Sequence, residues 1–156
     1  MPDVVHGVED LDHATCRSLL SSVPFGRIAS TDRGLPKIVP VHCTVRGEEI
    51  VIGTIRAHTS IRIGHGDVVA FVADHYDPIT REGWSVGLVG TCRVITDPVE
   101  IDQLDALDFT PWTVEDGGHY IALPLGFLHG RALTSRRLAS ASGGHGAGAV
   151  ELRVRP

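Results

Sequence analysis

The chain has 156 residues, 42% hydrophobic and 21% charged, the proportions of one globular domain around a single core. Its 14 Lys and Arg oppose 19 Asp and Glu for a formal charge of -5, so the basic balance of a phosphate-backbone binder is missing and nucleic acid is not an expected partner. Cys16, Cys43 and Cys92 are odd in number, far apart and without C-x-x-C spacing, which supports neither a disulfide framework nor a thiolate zinc site and fits reduced thiols in a cytoplasmic protein.

No apolar run reaches the ~18 residues of a membrane span, and residues 1–9 carry no apolar leader, so a soluble, unexported protein is expected. In chain order, Asp10 is placed to cap a helix running through Ser22, with Leu11, Cys16, Leu19 and Leu20 as a narrow apolar stripe. Residues 25–31 read as a strand, Asp32-Arg33-Gly34 as a three-residue turn and residues 36–45 as a second strand with Val39, Val41, Cys43 and Val45 on one face. Pro40 has no N–H to give a ladder, so this strand is expected at an edge or bulged there. Arg46-Gly47-Glu48 turns into a third strand over residues 49–54, completing a meander.

Residues 55–66 mix hydroxyls and cations and suit a short helix ended by glycine; residues 67–74 are nearly all apolar and read as a buried strand, followed by a polar loop over residues 75–82. From Glu82 to Asp97 apolar residues alternate at period two, placing Trp84, Val86, Leu88, Gly90, Cys92 and Val94 on one face. A straight strand of that length exceeds what a small domain needs, so a bend is expected at Gly87 and Gly90, and with it a small barrel. Asp97 caps a short helix over residues 98–107, residues 109–118 form a loop, and residues 120–133 return to strand character interrupted by Pro124 and Gly126. From Ser135 the sequence is small, polar and glycine-rich, giving a division into a domain over residues 1–134 and a mobile tail over residues 135–156.

Two stretches carry chemistry. Thr54, Thr59 and Ser60 supply hydroxyls and Arg56 and Arg62 supply cations, a set that suits a phosphate; the competing reading is caps and solvated arginines. Trp84 beside Ser85 offers a ring to stack on and a hydroxyl to bond a planar ligand, or else Trp84 is core. His42 faces either a substrate pocket or solvent. The nine histidines include no close ligand pair, so no metal is expected.

The ordered set Phe25-Gly26-Arg27-Ile28-Ala29, Ile38-Val39-Pro40-Val41-His42, Ile50 to Thr54, Val69-Ala70-Phe71, Gly83-Trp84-Ser85-Val86, Gly90 and Tyr120-Ile121 resembles the pyridoxamine 5'-phosphate oxidase-like family of flavin-binding split barrels, over about residues 10–133. The resemblance implies a mainly β fold, a six-stranded antiparallel Greek-key-like split barrel with a few short helices. It further implies a homodimer with FMN in clefts at the subunit interface. Thr54, Arg56, Thr59, Ser60 and Arg62 then hold the phosphate and ribityl chain, Trp84 and Ser85 approach the ring, and His42 faces the substrate. Relatives usually carry a cation where Ile61 stands and asparagine where His42 stands. The activity implied is FMN-dependent oxidation or reduction of an unassigned small molecule. The alternatives are a deazaflavin-dependent reductase and a non-catalytic flavin or haem binder with His42 or His75 as haem ligand.

Overall fold

Period-two alternation sets the architecture, because nearly every apolar residue in it belongs to a strand with one face turned inward. The computed structural model describes residues 4–54, 63–107 and 119–137. In order these form β1 (Val4–Leu11), α1 (His13–Ser21), β2 (Phe25–Asp32), β3 (Leu35–Arg46), β4 (Glu49–Thr54), β5 (Val68–Asp77), β6 (Glu82–Thr91), β7 (Arg93–Val94), α2 (Pro98–Asp105), β8 (His119–Pro124), one 3-10 turn (Leu125–Phe127) and β9 (His129–Arg137).

All pairings are antiparallel, in the order β1-β9-β6-β5-β2-β3-β4-β8-β7. Cys92 alone separates β6 from β7, yet six strand spacings lie between them in that order, about 29 Å in a flat sheet. One residue cannot span that distance, so the sheet is rolled up and the β6–β7 chain closes it. Counted as one bent strand, β6/β7 forms a six-stranded ring with β5, β2, β3, β4 and β8; β9 and β1 extend the sheet outward from β6.

The bend falls at Cys92 rather than at Gly87 or Gly90. Cys92 leaves the ladder because its N–H donates to Asp67 O (2.8 Å) and its carbonyl accepts from Gly66 N–H (2.9 Å). The two glycines serve close approach instead: a Cβ at Gly87 would lie 3.0 Å from the His129 ring, and one at Gly90 would touch Pro124 and Leu123 of β8.

Inside the ring, Ile28, Val41, Cys43, Ile50, Ile52, Val69, Phe71, Ala73, Trp84, Val86, Leu88, Ile121 and Leu123 form one buried cluster with Cys16, Leu19 and Leu20 of α1. Each large aliphatic buried here contributes about 1.5–3 kcal/mol relative to exposure. A smaller cluster outside the ring joins Val51, Ala122 and Ile95 to Leu104 of α2. Arg93 holds α2 in place, bonding Glu49 at 2.8 Å and Glu100 at 3.1 Å.

Several boundaries differ from expectation. Asp12, not Asp10, caps α1 by accepting from Thr15 N–H at 2.8 Å, because Asp10 belongs to β1 opposite Arg131. The β2–β3 turn has two residues, Arg33 and Gly34, both at positive φ (50° and 80°), which matches the twist of the flanking strands. The ladder of β5 and β6 continues to Asp77 and Glu82, so His75 and Tyr76 lie in a strand. At the C-terminal end β9 runs through Arg137, with Ser135 Oγ donating to Glu82 Oε1 at 2.6 Å. Of the expected short helix within residues 55–66, residues 63–66 are turn and coil and residues 55–62 lie outside the described residues, as do the loop over residues 109–118 and, of the expected tail from Ser135, everything from residue 138.

Candidate functional site

Pro40 marks where the ring opens. β3 pairs with β2 from Leu35 to His42, but its other side meets β4 only from His42 onward, opposite Gly53. Residues 35–41 of β3 therefore present backbone N–H and C=O groups along an edge that no described strand covers. The missing N–H of Pro40 costs nothing there, as its sequence position predicts. His42 stands at the end of this edge, half-buried, with its ring edge-on to Phe25 at 5.7 Å between centroids.

The outer face of the sheet beside this edge is unusual. Ile38, Ala29, Ala70 and Val89 face one another across β3, β2, β5 and β6 in a single register row, and Ile38 and Val89 are 67% and 51% exposed. The next row carries Pro40, Arg27, Val72, Gly87 and His129. Beyond it Ser85 lies between Asp74 and Arg131, with surface ion pairs Arg27–Asp74 (3.4 Å) and Arg131–Asp10 (3.2 Å). On the outer surface of β6, Gly83 and Ser85 carry little or no side chain, the His129 ring lies against Gly87, and Val89 projects outward.

Period two divides the expected ring-side pair. Ser85 is exposed on the outer face, whereas Trp84 points into the barrel, is 6% exposed, and has an indole N–H with no acceptor among the described residues. His42 shares the outer face with Ser85 but sits three strands away, about 14 Å. Thr54 ends β4 opposite His119. Arg56, Thr59, Ser60 and Arg62 lie outside the described residues.

The chain just after Arg62 is held firmly. Ile63 is buried in the main core cluster, and Gly64 to Asp67 form a turn closed by Gly64 N–H donating to Asp67 Oδ2 at 2.7 Å. Cys92 grips this turn: besides its two backbone bonds, its thiol lies 2.9 Å from Gly64 O, and burial pushes the thiol pKa up, keeping the proton on sulfur.

Sequence reasoning missed this anchor and the apolar outer row. The row had a signal, since β5 is apolar on both faces: Val69, Phe71 and Ala73 face inward while Val68, Ala70 and Val72 face outward. A strand of a one-sided sheet that is apolar on both faces has a second surface to cover. The anchor depends on contacts far apart in sequence and had none.

A six-stranded antiparallel ring closed by one bent strand, with helices outside it, defines the split-barrel class. The family model for pyridoxamine 5'-phosphate oxidase matches residues 12–132, and the chain belongs to that family. An uncharacterized protein of Mycobacterium tuberculosis is 35% identical over 116 residues, 71% of this chain and 76% of that one. Among solved structures, a candidate pyridoxamine 5'-phosphate oxidase from Corynebacterium glutamicum aligns with a TM-score of 0.67 at 26% identity, over 81% of this chain and 94% of that one. The FAD binding protein from Mycobacterium smegmatis aligns with a TM-score of 0.63 at 24% identity, over 80% and 98%. No helix among the described residues is long and apolar enough to cross a membrane.

Proposed function

We propose that the protein is an FMN-dependent oxidoreductase that acts on a small molecule as a cytoplasmic homodimer. The observation that carries the reading is the uncovered backbone edge of β3 beside an apolar outer sheet face. The pyrimidine side of a flavin alternates carbonyls with an N–H, and alternating backbone groups of residues 35–41 match that pattern. A second copy laid over Ile38, Ala29, Ala70 and Val89 removes their exposed area from water and walls in a cleft along the edge. Family membership and the flavin bound by the mycobacterial neighbour support the same ligand class.

The residues fit such a ligand. Because Ser85 lies three strands from the β3 edge, it approaches the ring across the dimer interface, from the second copy; Trp84 stiffens the same strand from inside, and His42 closes the end of the cleft and orients the substrate. Thr54, Arg56, Thr59, Ser60 and Arg62 hold the phosphate end, where arginine can bond two oxygens at once. A bound flavin supplies the hydride or electron chemistry; the chain supplies orientation and excludes water. The deciding experiment is the visible spectrum of the purified protein, with mass spectrometry of what heating releases. Released FMN is the expected result; a colourless protein that gains no thermal stability from added FMN sinks the reading.

A further inference from the structure

We propose that the free edge of β1 is a self-association surface, on which β1 of a second copy pairs antiparallel about a two-fold axis centred on Val8. The contact is separate from the outer-face dimer and does not depend on the flavin reading. β1 ends the strand order, bonded to β9 on one side and to no described strand on the other. Alternate residues along it therefore direct N–H and C=O groups away from β9, with no described ladder to receive them. Val5 and Val8, on opposite faces of the strand, are 50% and 66% exposed.

Open sheets commonly have such an edge, and charges placed on one normally discourage pairing. Here the charges select a register. A two-fold axis between antiparallel strands stands perpendicular to the sheet, so each face meets the same face of the copy and one residue lies opposite itself. His6, Val8 and Asp10 share the outer face, and Val5, Glu9 and Leu11 share the inner one. Centring on His6 opposes two imidazoles and leaves Glu9 and Asp10 beyond the end of the copy's strand. Centring on Gly7 sets Val5 against Glu9 and His6 against Val8, and centring on Glu9 opposes two carboxylates. Only centring on Val8 suits both faces. Outside, Val8 meets Val8 and His6 meets Asp10 twice, an imidazole N–H beside a carboxylate; inside, Val5 meets Leu11 twice. Asp10 has room for this partner, because its side chain stays 87% exposed while it bonds Arg131 at 3.2 Å. Glu9, tied to Arg136 at 3.4 Å, meets only Gly7. One strand pair covers less than the ~1,200 Å² of a stable interface, so the contact is weak and fills at high protein concentration.

Sedimentation from about 1 µM to about 1 mM protein tests the contact across the affinities open to a small interface. At the low end it is empty and the outer-face interface alone is read. Toward the high end the wild type is expected to gain mass beyond a dimer, and Ile38→Asp, without the outer-face interface, to pass from monomer to dimer. Val8→Lys opposes two ammonium groups at the axis and should weaken this step at least about tenfold. His6→Asp and Asp10→Lys should each weaken it about three- to tenfold, and the two combined should restore it. Within one strand these two residues stand about 13 Å apart, so restoration can pass only between copies. Circular dichroism checks that each variant keeps its strands. A wild type whose mass does not rise, as when residues 138–156 take this edge, overturns the proposal. So does a rise that survives Val8→Lys, or a double variant that associates more weakly than either single one.

Discussion

The two faces of the β3-β2-β5-β6 sheet are written by alternate residues of the same strands, yet they are finished differently. Inside, Ile28, Val41, Phe71 and Leu88 are all buried against one another and α1. Outside, Ile38, Val68 and Val89 are as apolar but more than half exposed. One chain suffices to complete the first face and not the second. An antiparallel sheet with a solvated side normally carries polar residues there, and the apolar outer face is the surface that the proposed dimer would cover.

The largest effect that separates the faces is expected inside. Phe71→Ala removes a ring packed beneath Gly26, where any Cβ would collide with it, and should cost about 3–5 kcal/mol, read as a lowered midpoint in denaturant. A loss below about 1 kcal/mol would mean that the core is far looser than its burial indicates.

Arg93→Ala acts outside the ring on the α2 contact. Its side chain is 40% exposed, so solvent screening limits the loss to about 1 kcal/mol, even with two carboxylate partners. Arg93 holds the Glu100 carboxyl below its ordinary range. That contribution is in place above the ordinary carboxylate value and is lost as pH falls through the depressed folded value. The difference between wild type and variant should therefore shrink on acidification below about pH 4, and a constant difference would argue against the ion pair.

The smallest effect on the fold, and the sharpest on assembly, belongs to Ile38→Asp and Val89→Asp. Each should leave single-chain stability within about 0.5 kcal/mol while sedimentation shows a monomer in place of a dimer. A dimer that survives both changes would move the interface away from this face.

Much of this architecture could be read from the residues. The inward stripe Trp84, Val86, Leu88 and Cys92, the limits of β4 and the edge position of Pro40 follow from alternation and from proline's missing donor. β1 could not be read, because it lies over β9 with both surfaces largely exposed and its register partners lie more than a hundred residues away. The break at Cys92 was hidden for a related reason: it is set by Gly66 and Asp67, not by the glycines that looked suited to bend. Ser85 is exposed on the outer face and His42 is half-buried on the same face, while Trp84 shows that adjacency in sequence places two strand residues on opposite sides.

Closure through a single bent strand also governs the order in which the chain can complete itself during synthesis. β2 to β5 and the β6 hairpin pair with near neighbours, but the ring shuts only when β8 arrives to bridge β4 and β7, and β6 gains its outer partner only with β9. Until then the partly made barrel carries free strand edges beside an apolar outer face. A chain stopped short of β8 is consequently expected to be sticky rather than inert, and the last described strands act as the step that renders the nascent protein safe.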